Sequence, residues 1–231
     1  KVIDDLEAER GVAIFNRCGV LLRAKDDEEI ARHAAIIDAG LLPPGWIEPH
    51  AEGLFFPNAG VIDPRAFCQS LAGDAPLIKK NAARIERVDE RMRVYFTDGE
   101  KAEFDAIIIA NGRDALRFTQ ARSLPLSATK GQIDYFPDAD APDHAIAAGP
   151  YIAPAPGRGV VIGATYERIG AGENALCSPN ATADNLRRLA EFSPTAAAAL
   201  STMTSTPRAA ARCQTPDRLP VAGALPEWGF Y

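Results

Sequence analysis

Histidine, cysteine and long apolar runs are all scarce in this sequence. Its three histidines, His33, His50 and His144, are scattered along 231 residues. No Ser/His/Asp or Cys/His arrangement has the spacing of a nucleophilic site, so a hydrolytic triad is excluded as a working idea. The four cysteines, Cys18, Cys68, Cys177 and Cys213, include no CxxC pair. That spacing speaks against a zinc site or a disulfide framework and predicts reduced, buried thiols and no bound metal. No apolar run approaches the roughly 18 residues of a membrane helix, and no basic-then-apolar leader opens the chain. These absences predict a cytoplasmic protein that engages no membrane. Positive charge is also in deficit: the formal net charge is −6, which argues against indiscriminate nucleic-acid binding. The basic residues are nevertheless clumped, as Lys79, Lys80, Arg84, Arg87, Arg91 and Arg93, then Arg113, Arg117, Arg122 and Lys130, then Arg208, Arg212 and Arg218.

A hydrophobic fraction of 47% is enough to bury one large domain or two small ones. "KVIDDLEAERG" reads as a helix stopped by Gly11, and "DDEEIARHAAIIDAG" as an amphipathic helix with acids in its first turn. Asp63 can cap a third helix, with Pro64 in its first turn and Gly73 past its end. "VAIFNRCGVLLRA" reads as strand or hairpin, and "PLIKKNAARIERV" as two short strands. "RMRVYFTDGEKAEF" reads as a hairpin turning at Asp98-Gly99. Its return arm is expected to run into "FDAIIIANG", a continuous apolar run that predicts a strand buried on both faces. "KGQIDYFPD", "AIAAGPYIAPAP" and "GVVIGATYERI" predict an antiparallel region, followed by helices at "TADNLRRLAEF" and "TAAAALSTM". The tail from Arg212 is loop-rich and ends on the aromatic start of a strand. The pattern changes suggest a nucleotide-type region at 51–118, joined by the tail from 213, interleaved with a sheet-and-helix region at 12–50 and 119–212.

Few residues stand out chemically. "GAGENA" (Gly170 to Ala175) matches a dinucleotide fingerprint, but Pro179 is expected to forestall the helix such a loop must open, so it reads as a plain loop. The Ala110-Asn111-Gly112 turn admits two readings: a place where backbone approaches a ligand, or an ordinary strand exit. Arg212, among small and apolar neighbours, suits either a bidentate clamp on a carboxylate or phosphate or a structural salt bridge. Tyr151, on an apolar strand, is either core packing or a site wall with a phenol to satisfy. With no acid–base constellation, any chemistry is expected to come from a cofactor.

Taken in order, "GLFFPNAGVIDP", "AIIIANG", "LPLSATKGQI", "YIAPAPGRGVVIGATYE" and "RCQTPDRLPVAGALPEWGFY" resemble the FAD-dependent amino-acid oxidase superfamily of glycine oxidase and D-amino-acid oxidase. They are most similar to its tRNA-modifying branch, the C-terminal oxidoreductase half of the bifunctional tRNA 5-methylaminomethyl-2-thiouridine biosynthesis proteins. The resemblance implies an α/β fold of mixed α+β character. A partial Rossmann-like FAD-binding domain (1–11, 51–118 and 213–231) would interleave with an antiparallel-sheet, glycine oxidase-like substrate domain (12–50 and 119–212). It also implies that the chain is an internal fragment, lacking the first phosphate loop and the final glycine-rich segment, and so not expected to hold FAD tightly or act alone. A methyltransferase domain would be fused upstream.

By the same resemblance Ala83 contacts the adenine side of FAD, and Ala110, Asn111 and Gly112 flank the cofactor. Arg212 binds the substrate carboxylate and Tyr151 forms an aromatic wall. The implied reaction is oxidative removal of the carboxymethyl group from carboxymethylaminomethyluridine at the tRNA wobble position, with tRNA as partner and phosphate contacts from the clumps at 113–130 and 208–218. Oxidation of a free small amine such as glycine or a D-amino acid is the enzymatic alternative. A non-catalytic binding module is the alternative of another class.

Overall fold

The computed structural model describes residues 1–157, 159–170 and 173–225. In chain order the elements are α1 (Val2–Arg10), β1 (Phe15–Asn16), β2 (Val20–Arg23), α2 (Asp27–Asp38), β3 (Glu48–His50), β4 (Gly53–Phe56), β5 (Val61–Ile62) and α3 (Pro64–Ala72). They continue as β6 (Ala82–Val88), β7 (Arg91–Phe96), β8 (Lys101–Phe104), two 3-10 turns (Gly112–Arg117 and Thr119–Ala121) and β9 (Ser127–Phe136). The remainder are β10 (Ala145–Ala147), β11 (Tyr151–Pro154), β12 (Val160–Gly163), β13 (Glu167–Arg168), α4 (Pro179–Ala190), α5 (Pro194–Ser201) and β14 (Thr206–Gln214). No helix among the described residues is long and apolar enough to cross a membrane.

The chain packs as two compact units, one of residues 1–74, 132–166 and 176–209, the other of the described parts of 75–131, 167–175 and 210–231. The first unit is built on a mixed sheet in the order β9, β12, β11, β10, β2, β4, β3, to which β9 contributes its C-terminal half. β10 runs parallel to β2, and the other neighbours are antiparallel. Alternation along the central strands sorts side chains to two faces. Phe136, Ile152, Val160 and Ile162 meet Leu189, Ala197 and Leu200 of α4 and α5. Ala145, Ala153, Ala155 and Val161 form the other layer, with Tyr135 and Tyr151 against them. Both faces of β12 are therefore covered, and all four of its residues are buried. Each large apolar side chain buried here contributes about 1.5–3 kcal/mol. Gly53 opens β4 because an added Cβ would sit 2.1 Å from the Leu22 carbonyl oxygen of the paired strand.

Polar residues facing α4 from β9 form a hydrogen-bonded network instead of an apolar seam. Gln132 and Asp134 are both 0% exposed. Thr182 Oγ1 donates to Asp134 Oδ1 at 2.6 Å and Asn185 Nδ2 to Asp134 Oδ2 at 2.7 Å. Gln132 Oε1 accepts the Ser178 backbone N–H at 2.8 Å, so this glutamine serves the start of α4, where Ser178 makes no side-chain cap of its own.

The helix starts read from sequence hold: Asp63 accepts from the Arg65 and Ala66 N–H groups, and Asp26 caps α2 through the Glu29 N–H. Gly11 ends α1 in the left-handed region, and that helix is tied down by Glu7, whose Oε1 accepts the Ile14 and Phe15 N–H groups at 2.7 and 2.8 Å. Those two donors, first Phe15 and then Ile14, with the Arg17 charge adding to them, hold the Glu7 carboxyl below its ordinary value of 4.5. A depressed carboxylate stabilises the fold above its unfolded value, and the stabilisation is lost as pH falls through the folded one. The Ile14 and Phe15 amide proton shifts are thus expected to titrate together with a midpoint below 4.5, and Glu7→Gln should abolish that titration.

The second unit holds the antiparallel sheet β6-β7-β8, the 3-10 turns, and the N-terminal half of β9 between β13 and β14. The hairpin turns at Asp98-Gly99 as its sequence predicts, with Gly99 at φ 89°. Three expectations are corrected. Residues 76–80 form no strand, and the ladder of the return arm ends at Phe104. The run Ala106 to Asn111 is not a buried strand either: it carries no ladder, and Ile108 is 89% exposed. A strand buried on both faces needs hydrogen-bonded neighbours as well as apolar side chains, and no described strand pairs with this run. Finally, Pro179 does not forestall a helix but begins one, at the first helical position, where its missing N–H costs nothing. "GAGENA" still precedes that helix by several non-helical residues; Ala171 and Gly172 within it, and the expected strand start at the aromatic tail, lie outside the described residues.

Candidate cofactor and substrate site

Ala83 sits at an irregularity in β6. The β6–β7 register pairs Ala82 with Phe96 and Arg84 with Tyr95, so Ala83 is the extra residue of a bulge. A bulged residue stands outside the ladder, and its backbone groups are then available to another partner. Beside it the Arg84 guanidinium stacks 3.7 Å from the centroid of the Tyr95 ring.

Ala110, Asn111 and Gly112 are all exposed and lead into the first 3-10 turn. Gly112 has φ 62°, and an added Cβ would meet only the Cys213 Cβ, at 3.7 Å. The left-handed backbone, not crowding within the chain, is what requires glycine here. The same contact brings this turn against β14 next to Arg212. The sequence offers no sign of that proximity, because about a hundred residues intervene.

Arg212 lies exposed on β14 between the half-buried Ala211 and Cys213. Its side chain makes no hydrogen bond or ion pair among the described residues. Strand alternation puts Gln214 on the same face, where Gln214 Nε2 donates to Thr129 Oγ1 at 3.2 Å. Ala83, Ala110, Asn111, Gly112 and Arg212 thus all belong to the second unit, and Tyr151 belongs to the first. Tyr151 is half-buried on β11 opposite Gly163, with its hydroxyl 3.3 Å from where a Cβ of that glycine would stand. Burial pushes the phenol pKa up, and the neighbouring Tyr166 adds to the shift. A neutral, partly desolvated phenol is suited to packing against a ligand and donating one hydrogen bond.

The basic clumps separate into two kinds. On the β6–β8 hairpin several cations are paired with carboxylates: Lys80 with Glu100 at 2.6 Å and Asp98 at 3.0 Å, Arg93 with Glu103 at 2.5 Å, and Arg91 with Asp105 at 3.4 Å. Hydrogen bonds that Lys80 donates to Glu100 and then Asp98 raise its pKa accordingly. Around a cleft of about 710 Å³ within the second unit the situation is reversed. Arg113, Arg117 and Arg168 line it, together with Asp114, Thr129 and Gln214. Arg113 donates to the backbone carbonyl of Glu173, and none of the three arginines has a carboxylate partner among the described residues. Sequence reading reached Arg113 and Arg117 through their clump. It missed Arg168, Thr129 and Gln214, whose only signal is chain pairing: β13 and β14 flank the same half of β9.

The FAD-dependent oxidoreductase family matches residues 1–231, and the chain belongs to that family. Among curated relatives, the tRNA 5-methylaminomethyl-2-thiouridine biosynthesis bifunctional protein MnmC of Methylobacillus flagellatus is 31% identical over 228 residues, covering 90% of this chain and 35% of the relative. The protein of the same name from Ectopseudomonas mendocina is 34% identical over 235 residues, covering 91% and 35%. The chain therefore spans about a third of the length of these relatives. Among solved structures, glycine oxidase from Geobacillus kaustophilus superposes with a TM-score of 0.77 at 21% identity, covering 98% of this chain and 67% of that one. Iminodiacetate oxidase from Chelativorans sp. BNC1 gives 0.74 at 19%, covering 93% and 65%. The fold is thus the mixed α/β fold of glycine oxidase. FAD is the family's cofactor, and the residues present fit part of a dinucleotide site: the bulged backbone at Ala83 and the uncovered Ala110–Gly112 turn are places where a ligand can meet main chain directly.

Proposed function

We propose that the full-length protein is an FAD-dependent oxidase that removes the carboxymethyl group from carboxymethylaminomethyl-(2-thio)uridine at the tRNA wobble position, leaving the aminomethyl product. The observation that carries this reading is identity above 30% over about nine-tenths of the chain to relatives named for biosynthesis of that class of nucleoside. When bound, FAD would supply the two-electron acceptor for oxidising the carbon next to nitrogen; addition of water to the resulting imine would release the amine and glyoxylate.

The chain's own residues have binding and positioning roles in this scheme. Ala83 would contact the adenine side of the cofactor through its backbone, and Ala110, Asn111 and Gly112 would flank it. The region 1–11, 51–118 and 213–231 forms the cofactor domain, and 12–50 with 119–212 the substrate domain. Arg212 grips the substrate carboxylate through its fork of N–H donors, and Tyr151 walls the pocket. Such a site needs little acid–base help once the amine is neutral; what it needs is alignment of the reacting carbon. Its poverty in histidine is consistent with that requirement. The basic residues at 113–130 and 208–218 meet tRNA phosphates, and a methyltransferase domain is fused upstream.

The test is to incubate the full-length, flavin-loaded protein with tRNA bearing the carboxymethylaminomethyl group and to analyse nucleosides by mass spectrometry. Conversion to the aminomethyl nucleoside with stoichiometric glyoxylate is expected. Oxidation of free glycine or sarcosine with no conversion of tRNA would replace this reading by that of a small-amine oxidase, and absence of flavin reduction by either substrate would leave a binding module.

A further inference from the structure

We infer that the cleft lined by Arg113, Arg117 and Arg168 is a phosphate-binding site for a nucleotide unit, distinct in its residues from the proposed substrate contacts Arg212 and Tyr151. Where the phosphate comes from an RNA strand, the inference rests on the tRNA reading; the site itself does not.

Three guanidinium groups border one cleft with a single carboxylate, Asp114, on its wall, in a chain whose net charge is −6. Like charges gathered without counter-anions repel one another, and an entering anion relieves that repulsion. Elsewhere in the same unit Lys80, Arg91 and Arg93 are instead each matched to a carboxylate. Arg113 adds an independent sign. Its Nη2 is fixed on the Glu173 carbonyl, while its Nη1 is shielded from solvent and has no acceptor among the described residues. A desolvated, unpaired donor costs free energy that an anion at the arginine fork would offset. Guanidinium forks match phosphate oxygens in geometry, and the Thr129 hydroxyl adds a neutral polar group on the same wall. The volume, about 710 Å³, is of the order that admits a nucleotide and exceeds what a lone carboxylate requires.

The experiment uses the full-length flavin-loaded protein and two probes, an anticodon stem-loop RNA and uridine monophosphate, with Arg113→Gln, Arg117→Gln and Arg168→Gln made singly. For RNA as the source, each variant should weaken stem-loop binding about fivefold or more and lower the slope of log affinity against log salt by about one. Lys80→Gln, on the paired hairpin, should leave both unchanged. For a free nucleotide as the source, saturable uridine monophosphate binding should be lost in the variants. If that happens while the wild type binds no stem-loop, the tRNA reading fails and the site stands. The inference is overturned if neither probe responds to the three substitutions. It is also overturned if the variants lose flavin while stem-loop affinity holds, which would assign the arginines to the cofactor. Arg113→Lys and Arg168→Lys keep the test valid should a glutamine variant unfold: they retain charge without the fork and should give intermediate losses for either probe.

Discussion

Replacing Arg212 with alanine in the full-length protein is expected to raise KM for a carboxylate-bearing amine about a hundredfold or more while changing kcat only a few-fold. The magnitude comes from a bidentate clamp: each charge-assisted hydrogen bond contributes about 1.5–3 kcal/mol, and two are removed together. The sign of the split is set by where the clamp acts. The proposed clamp would hold a carboxylate whose charge is the same in substrate and transition state, so the loss would be mainly one of uniform binding and fall on KM. Arg212 is free to act in this way because it is exposed on β14 and has no ion-pair partner among the described residues. Arg212→Lys keeps the charge but not the fork, and should recover part of the loss. A control separates binding from misfolding: an amine of similar size without a carboxylate should be oxidised equally slowly by wild type and variant. Unchanged KM for the carboxylate substrate would remove Arg212 from the site.

The parts of the fold that could be read from sequence are those fixed by neighbours along the chain. Asp63, Pro64 and Gly73 bound α3, and Asp98-Gly99 turns the hairpin, because caps and turns are set within a few residues. Pro179 shows how the same local logic fails. Proline excludes the interior of a helix but favours its first turn, and which applies depends on the residues C-terminal to it, here Asn180 to Ala190. The apolar run Ala106 to Asn111 shows a different failure. Its composition reports what the chain can bury, whereas a strand also needs partners, and partners come from elsewhere in the fold.

The candidate site divides along the same line. Arg212 and Tyr151 stand out because their residue types are unusual in their settings, and the order of motifs gave them roles. The contact of Gly112 with Cys213 and the gathering of Arg113, Arg117 and Arg168 depend on long-range pairing of β9 with β13 and β14. No local pattern encodes those contacts. Distinguishing the hairpin cations from the cleft cations likewise required knowing which acids sit across the ladder, such as Glu103 opposite Arg93.

Asp134→Ala is expected to produce the largest loss of stability, about 3–5 kcal/mol from two buried donors left unsatisfied and the cavity, or roughly a 10 °C fall in melting temperature for a domain of this size. The carboxylate is wholly enclosed and accepts from Thr182 at 2.6 Å, Asn185 at 2.7 Å and Gln132 at 3.5 Å. Its removal strands the Thr182 hydroxyl and one N–H of Asn185, while Gln132 Nε2 keeps Ser178 and Thr182 as acceptors, and a buried donor left unmade costs more than the bond contributed. The cavity adds to the loss. Asp134→Asn keeps the volume and one acceptor but turns a second acceptor into a donor facing donors, so its cost should be smaller yet clear. Combining Asp134→Ala with Thr182→Val and Asn185→Leu should recover part of the stability, because the stranded donors disappear with their acceptor. The same change should reach Tyr151, the proposed substrate wall. β9 pairs with β12 at Ile133 and Gly163, and Gly163 in turn faces Tyr151. Loosening β9 from α4 should therefore broaden the ring resonances of Tyr151 at temperatures well below melting, an effect that Glu7→Gln, on α1, should not reproduce. A fall in melting temperature of under about 3 °C for Asp134→Ala would mean that the network stabilises the sheet no more than an exposed polar cluster does.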